Sequence, residues 1–148
     1  MILDERTEFC DATTLNTGAA GTYLLGDVID LGKTGLDMGQ GNDLYLVIQV
    51  DTAATSGGSA TATFKLASDA QPAIATDGSA SVHIVTDTIA VASLTAGKTV
   101  YAGVLPRGTY ERYLGLLQVT GTAAFTAGKV NAFLTHDPAG WKAYADAS

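Results

Sequence analysis

The sequence predicts an all-β fold, an antiparallel β-sandwich of the Greek-key or jelly-roll kind with about seven or eight strands. Three observations predict it. Thr, Ala and Gly are abundant while Glu and Lys, which favour helices, are scarce. Several segments alternate apolar and polar residues with a period of two. No segment between them has the length and pattern of a crossover helix, which favours antiparallel pairing.

Two segments carry the clearest strand patterns. In "DLYLVIQVD" both faces are largely apolar, which predicts a central strand with Leu44, Leu46, Ile48 and Val50 on one face and Tyr45, Val47 and Gln49 on the other. In "SGGSATATFKLAS" a Gly-Gly turn precedes an alternation that places Ala62, Phe64 and Leu66 opposite Thr61, Thr63 and Lys65. This second strand is expected to be half-buried.

Turns punctuate the remaining strand candidates, which are "TYLLGDVIDL", "ASVHIVTDTIAVASL", "TAGKTVYAGVLP", "RYLGLLQVT" and "GKVNAFLTH". Together they predict a sandwich domain over residues 22–136. Residues 1–21 show no strong periodicity and are interpreted as an N-terminal arm. For residues 137–148 we predict a short helix or tail, because Asp137 can cap a helix, Pro138 fits its first position, and Trp141 and Tyr144 share one face.

Charge and composition narrow the classes of function. The chain has 148 residues and a net charge of −7, so its field repels phosphate and anionic lipid. We therefore expect no nucleic-acid or membrane partner. The single cysteine, Cys10, excludes an intrachain disulfide and fits synthesis in a reducing cytoplasm, and we interpret it as a small semi-buried residue. Neither a signal peptide nor a membrane-spanning run is visible.

The motifs of catalysis and metal binding are weak. "GDVIDLGKT" has the wrong glycine spacing for a phosphate loop, and "GLDMGQGND", with Asp37 and Asp43, matches a single calcium-binding nonapeptide without the repeats such sites need. His83 and His136 belong to no metal-ligand cluster. Asp30, Asp51, Asp69 and Asp77 are expected to end strands. We predict no enzymatic activity, no metal and no cofactor.

The stretch "LPRGTYERYLGLLQV" concentrates functional side chains and poses the main question. Pro106 and Gly108 end one strand, and the next begins near Arg112. Arg107, Glu111 and Arg112 are therefore expected at one corner of the sandwich, where charged pairs pin a loop. Two arginines in an acidic protein also form a natural docking point for a partner's carboxylate.

A resemblance adds to this. "LPRGTYERYLGLLQVTG" and "FTAGKVNAFLTHD", with "GWKAYA", "IDLG" and "NDLYLVIQVD", resemble the small capsid cement, or decoration, proteins of tailed bacteriophages, in the same order through nearly the whole chain. The resemblance implies a structural protein of the virion, made in the host cytoplasm, that associates with itself as a dimer or trimer. It implies a place on the outer surface of the head, bridging subunits of the major capsid protein.

We expect the arm and the corner to share the contact with the capsid or with a second copy. The candidate residues are Ile2, Leu3, Arg6, Phe9, Arg107, Glu111, Arg112, Trp141 and Tyr144. Two alternatives stay open: a tail or fibre accessory protein of a phage, and a carbohydrate-binding β-sandwich module whose aromatic residues form a platform.

Overall fold

The computed structural model describes residues 8–32, 36–38, 44–106 and 108–135, and these form an all-β structure. Apart from one 3-10 turn at Val91–Ser93, every regular element in these ranges is a strand. In chain order the strands are β1 (Glu8–Thr14), β2 (Gly21–Asp30), β3 (Leu36–Met38), β4 (Tyr45–Ser56), β5 (Thr61–Asp69), β6 (Ser81–Val85), β7 (Ile89–Ala90), β8 (Thr99–Val104), β9 (Gly108–Tyr110), β10 (Tyr113–Gly121) and β11 (Phe125–Thr135). The predicted all-β class is confirmed.

The strands form two main sheets with antiparallel pairing. The first sheet has the order β1-β11-β4-β8, and the second has the order β2-β10-β5-β6, with β7 also pairing with β5. The pairing is nested: β1 pairs with β11, β2 with β10, β4 with β8, and β5 with β6. A short ribbon of β3 and β9 completes the described strands.

The main core lies between the two sheets and follows the alternation in the sequence. From β4 it receives Leu46, Ile48 and Val50, and from β5 it receives Ala62, Phe64 and Leu66. The predicted faces of both strands are confirmed. Because apolar side chains of both sheets meet in one cluster, burial of their surface is the main stabilising contribution.

The outer face of each sheet is also partly covered. Over the second sheet, the connection between β5 and β6 places Ile74 beside Gly115, where an added Cβ would lie 2.9 Å from Ile74 Cγ1. Ile74 packs there with Ala67 and Leu117. On the first sheet Val47 and Phe133 are buried, although alternation directs them away from the main core. The outer face of each sheet is thus partly buried around its central strands.

The predicted N-terminal arm is wrong for the part that the structure describes. Residues 8–14 form β1, which pairs with β11, and Phe9 and Cys10 are buried in the main core. The alternation is interrupted at Ala12, which has a positive φ of 46° and donates its N–H to Asn131 Oδ1 at 2.6 Å. Burial of two consecutive side chains and this bulge remove the period-two signal from the sequence.

Gly26 allows β1 and β2 to approach closely. Its φ is +73°, and an added Cβ would overlap Phe9 O and lie 2.7 Å from Cys10 Sγ. Only glycine fits where both the conformation and the space exclude a side chain. At this side of the sandwich, therefore, the backbones of the two sheets lie close together, with no side chain between Gly26 and Phe9 O.

Asp30 and Asp69 end β2 and β5 as the sequence predicts, whereas Asp77 lies in the connection between β5 and β6. Asp30 accepts the N–H of Gly32, Asp69 accepts those of Gln71 and Ala75, and Asp77 accepts that of Ser79. Asp51 is an exception, since it lies inside β4 and not at its end. The predicted helix or tail at residues 137–148 lies outside the described residues.

Candidate functional site

The β9–β10 corner is built around Tyr110. Its side chain is fully buried in the main core, and its hydroxyl donates a hydrogen bond to Pro106 O at 2.7 Å. The phenol therefore closes the bend that begins at Pro106. Immediately after it, Glu111 and Arg112 leave the core and point their side chains toward two different neighbours.

Glu111 belongs to a hydrogen-bond network with β5 and β6. Its backbone N–H donates to Ser68 Oγ at 3.1 Å, and its Oε1 accepts the hydroxyl of Ser81 at 2.7 Å. Ser68 Oγ also lies 2.7 Å from His83 Nε2, and the imidazole stacks on the Tyr110 ring with a centroid separation of 3.8 Å. We call Ser68, Ser81, His83, Tyr110 and Glu111 the corner network.

The corner network determines the surroundings of the His83 imidazole. Ser68 Oγ accepts the N–H of Glu111 and also shares a hydrogen bond with His83 Nε2, in which either atom can be the donor. Burial lowers the pKa of His83, and the nearby charge of Glu111 opposes this effect. The environment thus favours the neutral imidazole.

Ser68 and His83 have the separation of a nucleophile and its base, but the serine is fully buried. A substrate could not reach its oxygen without opening the corner. Ser68 instead connects β5 to the segment between β9 and β10, and His83 connects it to β6. The arrangement thus holds β5, β6 and the segment between β9 and β10 together.

Arg112 forms the second connection of the corner. Its Nε and Nη2 donate to Asp30 Oδ1 and Oδ2 at 2.9 and 3.1 Å, so the pair is bidentate. Hydrogen bonding to Arg112 and to the N–H of Gly32 lowers the pKa of Asp30. The guanidinium also lies 5.1 Å from the ring centroid of Tyr113. This ion pair ties the start of β10 to the end of β2 while both side chains stay exposed.

The structure places the other sequence-predicted contact residues as follows. Phe9 is buried in the main core and is not available as a contact residue in the folded chain. Ile2, Leu3, Arg6, Arg107, Trp141 and Tyr144 lie outside the described residues, as do Asp43 and His136. Of the predicted set, Glu111 and Arg112 lie at the described corner, where Glu111 contacts Ser81 and Arg112 contacts Asp30.

Sequence reasoning missed one cleft and one group of exposed residues. The cleft, of about 270 Å³, lies over the second sheet, and its lining includes Thr22, Lys65, Thr76, Asp77, Val82 and Leu117. The exposed large apolar side chains of the described residues are Val82, Val85 and Val104. All three lie on edge strands, which the alternation pattern does not distinguish from central strands.

Cys10 behaves as a core residue. Burial raises the pKa of its thiol to about 12, and the thiol faces the Leu25 carbonyl oxygen at a Sγ to O distance of 3.9 Å. A thiol with so high a pKa is a poor nucleophile at neutral pH. In the described ranges no group of three or more His, Cys, Asp or Glu side chains has the arrangement of a metal site. The same ranges contain no helix that could cross a membrane.

Two facing antiparallel sheets with a common core and a pinned corner define an all-β protein of the sandwich class. Comparison with known families makes this more specific: the model of the Bbp16 family matches residues 9–134. Since that match covers most of the chain, the protein belongs to the Bbp16 family. A search of the curated proteins finds no match at the threshold applied.

Proposed function

We propose that this chain is a capsid cement, or decoration, protein of a tailed bacteriophage. In this proposal it is a structural protein that binds the outer surface of the head and bridges subunits of the major capsid protein. It also associates with itself, so that each oligomer makes several equivalent contacts with the repeating lattice of capsid subunits. The resemblance of the segments after Pro106 is its starting point.

The observation that carries the proposal is the nested pairing of the eight longer strands. First pairs with last, second with seventh, third with sixth and fourth with fifth, and the pairs alternate between two sheets. This order supports a jelly-roll topology, an architecture that occurs in viral capsid proteins. Lectins and cupins share it, so the fold supports the proposal only together with the sequence resemblance.

The contacts with the capsid involve the corner in this proposal. Arg112 is exposed, and its bidentate pairing with Asp30 holds the guanidinium in one orientation. A partner's carboxylate would meet a fixed cation there, at little additional entropic cost. Arg107 and residues 1–7 complete the proposed contact, with the arginine selecting register and the apolar Ile2 and Leu3 adding area.

A binding assay with heads tests the proposal. The full chain is mixed with phage heads that lack cement, and the heads are sedimented and imaged. We expect the protein to sediment with heads and to appear on the outer surface. Arg107→Ala should weaken binding in a salt-sensitive way, whereas Lys98→Ala, which also removes one cation, serves as its control. Heads that sediment without the protein would overturn the proposal.

The alternatives predict different results in parallel experiments. A tail accessory protein would bind purified tails and not heads. A carbohydrate-binding module would bind a glycan array, but among the described tyrosines Tyr110 is buried, Tyr101 packs against the main core and Tyr113 packs against the outer cluster. These three do not form the exposed platform that such a module uses.

A further inference from the structure

Within the described residues, the exposed large apolar side chains lie on two strands. Val82 and Val85 on β6 are 43% and 57% exposed, and Val104 on β8 is 44% exposed. Scattered exposed valines need no explanation, but these three mark strands that share a second property. Both β6 and β8 lie at the end of their sheets.

These two edges lie on the same side of the sandwich. In the sheet orders, β8 follows β4 at one end of the first sheet, and β6 follows β5 at the corresponding end of the second. Within the described residues neither strand has a partner on its second edge. Each strand thus presents, among these residues, a row of backbone donors and acceptors that no described strand pairs with. We call the surface formed by β6 and β8 the open side.

The charge distribution distinguishes the open side from the opposite one. The sequences of β6 and β8, SVHIV and TVYAGV, contain no lysine, arginine or carboxylate. On the opposite side, β1 and β2 carry four acidic residues, Glu8, Asp11, Asp27 and Asp30. Charged edges oppose strand addition, whereas uncharged apolar edges permit it.

We propose that the open side binds a second copy of this chain, with β8 pairing antiparallel to β8 of that copy across a two-fold axis. This inference rests on the self-association in the proposed function and names its surface. Two copies with a charge of −7 each repel one another least where the strands that meet carry no charged residue. Two identical strand edges related by a two-fold axis run antiparallel, so their hydrogen-bonding groups can pair with one another. An unrelated partner would need a complementary edge of its own.

The expected contact is modest in size. Six residues of β8 extend about 20 Å, and the two sheets are roughly 10 Å apart. The contact therefore lies at or below the lower limit of stable interfaces, about 1,200 Å² in total. We expect a dimer that dissociates on dilution through the micromolar range.

Sedimentation velocity over a wide range of concentration tests this inference. Val104→Lys and Val85→Lys each place a cation on an uncharged edge strand of the open side, where a charge opposes strand addition. We expect each to weaken dimerisation at least tenfold, about 1.4 kcal/mol. Thr14→Lys introduces the same side chain at an exposed position of β1, on the opposite side, and should leave dimerisation unchanged. Circular dichroism and melting temperature verify that each variant is folded.

Three outcomes would overturn the inference: a wild-type chain that is monomeric at every concentration, lysine variants that dimerise as well as wild type, or a Thr14→Lys variant that is equally impaired. The head-binding assay separates this failure from that of the proposed function. A wild-type chain that binds heads while dimerising through another surface contradicts the open-side inference alone. A chain that dimerises through the open side but never binds heads contradicts only the cement function.

Discussion

On the side of the sandwich where β1 and β2 lie, the two sheets approach through backbone atoms, and the strand edges carry acidic residues. On the side of β6 and β8, a hydrogen-bonded network fixes the corner, and the edges stay uncharged. The first side depends on close packing around Gly26, where the smallest added group has no space. The second depends on polar contacts that small rearrangements can alter. Close packing thus stabilises the first side and hydrogen bonds stabilise the second, which is the side that the proposed dimer uses.

The largest effect is expected from Gly26→Ala. The new Cβ would overlap Phe9 O, and the positive φ adds strain, so we expect a loss of more than about 4 kcal/mol in the free energy of unfolding. Gly32→Ala is the matched control, because its φ is +90° but nothing lies within 4 Å of the new atom. It should cost only about 1–2 kcal/mol. Urea denaturation measures both, and equal losses would contradict the close approach of β1 and β2.

Phe9→Ala tests whether β1 is part of the core. Removing a fully buried phenyl ring is expected to cost about 3–5 kcal/mol in the same measurement. A true arm would tolerate the change, since a side chain in solvent loses no packing. A variant as stable as wild type would therefore restore the arm interpretation for this residue.

Ser68→Ala removes the centre of the corner network. The N–H of Glu111 loses its acceptor and His83 Nε2 loses its hydrogen-bond partner, so we expect a loss of about 1–3 kcal/mol in the free energy of unfolding. Ser79→Ala is a suitable control, because it also removes a hydrogen-bonding hydroxyl, but one that donates to Asp77 at an exposed turn. Similar losses for the two variants would show that the corner network contributes nothing special to stability.

These contrasts also show what the sequence can reveal. β4 and β5 were predicted because their side chains alternate between a core and another surface, and period two is a local signal. β1 was missed because Phe9 and Cys10 are both buried and a bulge follows. The corner network was missed because Ser68 and Glu111 are far apart in the chain and only the nested pairing brings them together. Gly26 lies inside a strand pattern, and a glycine at such a position indicates that another backbone approaches closely.

The pH dependence of stability tests the state of His83. Burial lowers its pKa below that of the unfolded chain, so the unfolded state binds more protons as pH falls below about 7. Stability conferred by the neutral ring is therefore complete above the unfolded pKa and is lost as pH falls toward the folded pKa. His83→Gln keeps an acceptor for Ser68 and should remove this part of the pH dependence in urea titrations. If the variant kept the same pH dependence of stability, groups other than His83 would be its cause.

The smallest effect on stability is expected from Arg112→Ala. The bidentate pair with Asp30 is exposed, so water and salt screen it, and side-chain entropy opposes its formation. We expect a smaller change in melting temperature than in any variant above, and none in 1 M NaCl. The pKa of Asp30, followed by NMR, should nevertheless rise toward its ordinary value, because its largest lowering contribution is lost. If Arg112→Ala instead destabilised the fold as much as Ser68→Ala, the ion pair would be a main support of the corner in spite of its exposure.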